Sequence, residues 1–336
     1  MQRSYYLDNL KVMLTILVIA HHAMIPFTDG EGWAYHPSIA EETMPYMWHF
    51  LSTNAAFFMG LFFMISGYFV PKSFDRQGFA TFVWKKVLRL LVPMALITAV
   101  LSLATGTPEA GHTWFLSSLF AFCLVYALIR LVCKKCSSEH PLKLTLPLLL
   151  AFAAVMGVGG YFIRQIYPQN EWIHLWVYKF EPAHYLQYIM MFVLGVLAGH
   201  GNWFDKMSDF VGRVALIIGT LLCVGNYLRV GGAWDGFVWR WFGIYESFLC
   251  VFFCVGLVWL FKKIANWDGK FWQWSASQAF GAYVIHLFVL LIVQNLLDKL
   301  WIGVVGKFLL DTALAVVFSF VITWLLRLIP GVKKVL

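Results

Sequence analysis

About ten stretches of roughly 20 mostly apolar residues follow one another along this chain, near 10–28, 50–70, 84–104, 114–133, 144–163, 184–200, 210–228, 241–262, 277–297 and 303–327. Twenty such residues in a helix span the hydrocarbon core of a bilayer. Within that core every backbone polar group needs an internal partner, so a chain of this pattern is restricted to a helical bundle. Charged residues make up 12% of the sequence and apolar residues 61%, with a mean hydropathy of +0.73. An ordinary soluble domain carries about twice that share of charge. The expectation is an all-α polytopic integral membrane protein, about ten transmembrane helices in one bundle, forming a single domain over 1–336.

The net charge of +8 would fit a nucleic-acid partner, but the positions of the charges point elsewhere. With a cytoplasmic N-terminus, 19 of the 25 basic residues fall in or beside cytoplasmic segments. The six outside are Arg164, Lys179, Arg229, Arg240, Lys299 and Lys307. This asymmetry follows the positive-inside rule and predicts both termini in the cytoplasm, in the inner or plasma membrane. The opposite side carries Asp29, Glu31, Glu41, Glu42, Glu109, Glu171 and Glu181. It also carries two tryptophan-rich runs, EWIHLWVY at 171–178 and AWDGFVWRW at 233–241. These read either as an interfacial belt or as a platform for stacking a sugar. The first apolar run has no small-residue cleavage site, so it is read as a retained span. Six cysteines, mostly within spans, form no secreted disulfide framework. The CxxC of Cys133 and Cys136 lacks a second ligand pair, so no metal is expected.

Ionisable residues inside a span are costly and mark functional sites by default. In the first span, Lys11 and His22 are eleven residues apart. They share one helix face with Thr15 and Val18, roughly 16 Å apart along it. His21 lies about 100° off that stripe. Glu246 is an acid within the eighth span, placed either to orient His22 or the acceptor, or to pair with Arg240. The second span ends in Ser66, Gly67 and Tyr68. The small residues there admit a neighbouring backbone, and Pro71 is expected to stop the helix. Lys85, Lys86 and Arg89 open the third span, with Lys86 and Arg89 three residues apart on one face. Such a cluster serves as a topology anchor or as a phosphate contact. Asn54, His112 and Asn226 read as helix-to-helix bonds or cavity-wall groups. Tyr283 and His286 sit in the middle of the ninth span.

The segments YYLDNLKVMLTILVIAHHA, FFMISGYFVPKSFDRQGFATFVWKKVLRLLVP, HTWFLSSLF and FGAYVIH, in that order, resemble the membrane-bound acyltransferase 3 family. In that family an arginine or lysine, ten residues and a histidine occupy the first span, matching Lys11 and His22. The family's SGY or SGF matches Ser66, Gly67 and Tyr68. Its RxxR appears here as KVLR, Lys86 standing where the first arginine would be, which keeps the charge and loses the planar fork. The resemblance implies a membrane O-acyltransferase of EC 2.3.1 type. It would move an acyl group, acetyl above all, from cytosolic acyl-CoA (acetyl-CoA) to a hydroxyl of a surface or lipid-linked glycan or similar acceptor. His22 would be the general base, or carry a transient acyl group, with Glu246 in support. Lys11 would steer the donor or hold Asp8, and Ser66, Lys85, Lys86 and Arg89 would contact the donor. His21, Asn54, His112, Trp114, Tyr283 and His286 would contact the acceptor. The rival expectation is a proton-coupled transporter or flippase, which would also bury His, Lys and Glu. Against it, no inverted repeat is visible.

Overall fold

The computed structural model describes residues 4–28, 33–38, 45–107, 109–133, 143–176, 178–229 and 235–336. Arg3, Asp29, Glu31, Glu41, Glu42, Lys134, Lys135 and Cys136 lie outside these, as do residues 233–234 of the second tryptophan-rich run. Among the described residues, thirteen α-helices run in the order α1 (Tyr5–Met24), α2 (Pro45–Gln77), α3 (Phe79–Lys86), α4 (Val92–Thr105), α5 (Trp114–Val132), α6 (Leu146–Arg164), α7 (Pro182–Gly201), α8 (Trp203–Lys206), α9 (Asp209–Leu228), α10 (Asp235–Arg240), α11 (Phe242–Ile264), α12 (Lys270–Leu297) and α13 (Gly303–Leu326). Ten helical spans among the described residues are long and apolar enough to cross a membrane, α3 and α4 forming one continuous span. Ten crossings put both ends of the chain on the same face of the bundle, called here the termini face.

The spans differ in how much neighbouring protein covers them. In α2, 72% of the most apolar window is buried and in α11 61%, against 22% in α6 and 28% in α9 and α13. The centre is therefore α2 and α11 with α1, α7 and α12 around them, and the outer helices face lipid. Because lipid is as apolar as leucine, helix association in it depends on close packing. The α2–α7 contact shows how this is met. A Cβ on Gly67 would strike the Phe192 carbonyl, and one on Gly195 would strike that of Met64. Gly67→Ala should destabilise by about 1–3 kcal/mol through overpacking, read as a lower melting temperature of purified protein with expression still measurable.

Two local expectations are corrected. Pro71 does not stop α2, which runs on to Gln77. In membrane helices neighbouring groups re-satisfy the freed backbone, and the stop falls at Gly78, whose φ of +72° favours a residue without a Cβ. Lys86 and Arg89 do not share a face, because Val87–Leu91 forms a π-turn. Pro93, four residues after Arg89, cannot donate to that carbonyl and its ring crowds it. The wider turn accommodates the proline and swings Arg89 round, which breaks the i,i+3 relation. A two-stranded antiparallel hairpin, β1 (Ile173–Leu175) and β2 (Tyr178–Phe180), also interrupts the otherwise helical chain. It splits the first tryptophan-rich run, leaving Trp176 85% exposed while Trp172 turns to a cavity wall.

Candidate active site

A cavity of about 810 Å³ opens between α1, α2, α5, α7, α11 and α12 on the face opposite the termini. Its lining brings together His21, His22, His112, Trp114, Tyr283 and Glu246 from the sequence-derived set. His22 stands two residues, about half a turn, before the end of α1 at the opposite-face side.

The hydrogen bonds around His22 set its tautomer. Its Nδ1 lies 2.9 Å from the Val18 carbonyl and 3.2 Å from His286 Nε2. A carbonyl only accepts, so His22 Nδ1 carries the proton. His286 is held the same way, its Nδ1 donating to the Tyr283 carbonyl at 2.6 Å, which leaves its Nε2 as an acceptor for the His22 N–H. In a neutral imidazole with Nδ1 protonated, the lone pair is on Nε2. No described residue takes His22 Nε2, and His22 lines the cavity.

The residues behind His22 are locked rather than exposed to a substrate. His286 is fully buried and packs its ring 4.9 Å from that of His22 and 4.7 Å from that of His112. It is a satisfied histidine of the bundle interior and does not line the cavity, where a structural or an acceptor contact was expected. His112 donates from Nε2 to the Val284 carbonyl at 2.9 Å. Tyr283 gives its hydroxyl proton to the His112 carbonyl at 2.6 Å. This exchange ties the turn before α5 to α12, so the Tyr283 hydroxyl is occupied. His21 packs against Phe58 with ring centres 5.0 Å apart. Asn54 is buried but does not line the cavity, and Asn226 donates to Thr53 at 2.5 Å as a bond between helices.

The other end of the cavity carries a chain of buried ionisable groups. Glu246 pairs with Arg164 and with His184 Nε2, the latter at 3.0 Å. It meets neither His22 nor Arg240, the two partners expected for it. His184 Nδ1 stands 2.8 Å from Glu181 Oε2, and the Asn170 N–H donates to Glu181 Oε1 at 2.8 Å. Burial works to raise the Glu181 carboxyl, and His184 with the Asn170 N–H outweighs it, holding it below the usual carboxylate range. Trp114 stacks on Tyr188 at 5.4 Å and meets the edge of Trp172 at 5.6 Å, so an aromatic wall adjoins these charges. Sequence reading missed Arg164, Glu181, His184 and Tyr188 as site residues, and offered Trp172 only as part of a possible sugar platform. The spacing of Glu181 and His184 around a helix-starting Pro182 was the visible signal, since three residues apart places both on one side of the first turn. Glu246 and Arg164, 82 positions apart, had none.

On the termini face the donor-side residues are dispersed. Lys11 pairs with Asp8 at 2.8 Å and sits over the Phe69 ring at 5.2 Å. Lys86 lies over Phe82 at 5.4 Å, and Lys85 is exposed. Arg89 is exposed with its guanidinium 5.3 Å from the Phe280 ring. Beyond that ring, Arg327 donates to Gln278 at 3.2 Å. Ser66 is half-buried beside the close α2–α7 contact. Among the described residues no group of three His, Cys, Asp or Glu is placed to hold a metal ion.

Behind His22 the segment 33–38 closes the bundle. Trp33 lies 5.6 Å from the His22 ring and donates to Gln294 at 3.0 Å. Asp298 accepts from Ser38 Oγ at 2.5 Å, Ser38 N at 3.0 Å and Tyr35 Oη at 2.8 Å. The Ser38 hydroxyl, the Ser38 N–H and Tyr35 hold its carboxyl down at about 2. A depressed carboxyl contributes above its unfolded value of about 3.9 and loses that contribution as pH falls through the folded one. Amide exchange over 33–38, corrected for intrinsic rate, should thus be constant from pH 8 to 5 and rise between pH 4 and 2.

The family model described as an acyltransferase domain matches residues 4–328. Comparison with curated proteins and with solved structures finds no match. The match covers nearly the whole chain, and with it the ten spans enclose a cavity lined by a histidine presenting an unshared Nε2. The chain belongs to the acyltransferase 3 family and is a multi-pass integral membrane acyltransferase.

Proposed function

We propose that the protein transfers an acyl group, acetyl above all, from acyl-CoA to a hydroxyl of a glycan or similar acceptor seated in the 810 Å³ cavity. The observation that carries this reading is the tautomer of His22, whose Nδ1–H is spent on Val18 and His286 so that Nε2 is left as a base. Nε2 takes the proton of the acceptor hydroxyl while its oxygen attacks the thioester carbonyl. The C–S bond then breaks, and the CoA thiolate leaves and is protonated. Histidine suits this work because its ordinary pKa of about 6.5 lies close to physiological pH. Trp114 and Trp172 supply flat apolar faces against which a sugar ring can stack. The donor approaches from the termini face, taken as cytoplasmic from the positive-inside asymmetry. There Arg89 and Arg327 are the cations suited to the CoA phosphates.

The test is transfer of label from acetyl-CoA in sealed, oriented vesicles. Label should reach a glycan acceptor only when acetyl-CoA is on the termini face, which a cysteine at Ser73 reports by its reactivity to an impermeant maleimide. Accumulation of an unmodified substrate with no dependence on CoA would overturn the reading in favour of transport.

A further inference from the structure

Basic residues on the face opposite the termini serve no topological purpose under the positive-inside rule, so their placement there calls for another cause. Of the six, Lys179 is paired with Glu109 at 2.5 Å, and Lys307 donates to the Asp298 carbonyl at 2.6 Å. Three of the remaining four converge where α11 begins. The Arg229 guanidinium lies 5.4 Å from the Phe242 ring and that of Arg164 lies 5.9 Å from it. Arg240 joins Arg164 in lining a second cavity of about 660 Å³, beside the stacked pair Tyr161 and Trp241, whose ring centres are 5.0 Å apart.

Arg164 is only half used by the protein. Its Nη2 pairs with Glu246, while Nε and Nη1 are buried with no partner. Leaving buried donors of a charged group unsatisfied is costly, and Gly243 allows the arrangement, since a Cβ there would come to 3.2 Å from Nη1. Arg240 is exposed and has no ion pair among the described residues. Two arginines lining one concave wall are suited to an oxyanion with several acceptor oxygens, which the planar guanidinium engages by paired charge-assisted bonds. The end of α6 and the start of α11 place this wall at headgroup level. Gln169 and Phe242 line both this cavity and the one containing His22, so the two cavities are neighbours.

We infer that the cavity formed by Arg164, Arg240, Tyr161 and Trp241 is a phosphate-binding site that anchors a phosphate-bearing acceptor beside the reactive cavity. Calling the ligand an acceptor rests on the acyl-transfer reading, whereas the binding does not, so the test contains no acyl donor. Full-length protein is placed in phosphatidylcholine nanodiscs and titrated with inorganic pyrophosphate by calorimetry. In a second arm, nanodiscs doped with phosphatidylglycerol, or with oleate as a carboxylate control, are analysed by native mass spectrometry for retained lipid. At least one phosphate probe should bind, and Arg240→Gln, at an exposed position, should weaken it about tenfold or more. Retention of phosphatidylglycerol alone assigns the site to a lipid headgroup, and binding of pyrophosphate alone assigns it to a soluble phosphate ester. Binding of neither, equal retention of oleate, or an Arg240→Gln protein with unchanged affinity in both arms would overturn the inference.

Discussion

His22→Ala protein is expected to bind acetyl-CoA with nearly unchanged affinity and to transfer about 10² to 10⁴ times more slowly, the usual contribution of a general base. The replacement removes the imidazole nitrogen that the hydrogen bonds of His22 leave unshared in the cavity wall, and the proton of the acceptor hydroxyl then has no positioned receiver. A loss confined to the transfer step leaves ground-state binding alone, which is how such a variant is separated from one that has lost a binding contact. Two companion variants sharpen the result. His21→Ala should cost less, because His21 packs against Phe58 and nothing fixes a lone pair toward the acceptor. His286→Phe should lower kcat by about tenfold with KM preserved and shift the pH profile, since Val18 still holds the His22 tautomer while its second acceptor is gone. Full activity in His22→Ala would remove the assignment, and an equal loss at His21 would move the base to the neighbouring ring.

Arg164→Ala is expected to destabilise the folded protein by about 3 kcal/mol, the low end of what removal of one partner from a buried ion pair costs. Glu246, 1% exposed, would keep only His184, itself shared with Glu181. A carboxylate left without its strongest counter-charge inside a bundle is among the few changes able to shift stability this far. Arg164→Ala with Glu246→Gln should recover much of the loss, because a neutral amide does not need the guanidinium. Thermal unfolding in detergent, followed for both singles and the double, gives the coupling directly. Additive losses would show that Arg164 and Glu246 act independently, against the contact between them.

The number and approximate place of the ten spans were legible because twenty apolar residues have no other stable arrangement in lipid than a helix. The Lys11 to His22 stripe was legible for a related reason: helical phase is a local property, and both residues belong to one helix. The same logic carried the close approach at Gly67, where the lack of a side chain is itself the signal. It failed at Lys86 and Arg89, where Pro93 widened the turn and changed the phase. It also failed at Pro71, since whether a proline ends a membrane helix depends on what surrounds it. What stands against His22 could not be read from any local pattern. His286 lies 264 positions away and Arg164 is 82 positions from Glu246, and only helix packing brings them together. An imidazole becomes a base of one defined tautomer, and a buried acid becomes tolerable, through partners that the tertiary structure supplies. Residue types and spacing along the chain were enough to single out His22 as the candidate base, whereas its proton, its neighbours and the second cluster of charge were decided by the packing of the bundle.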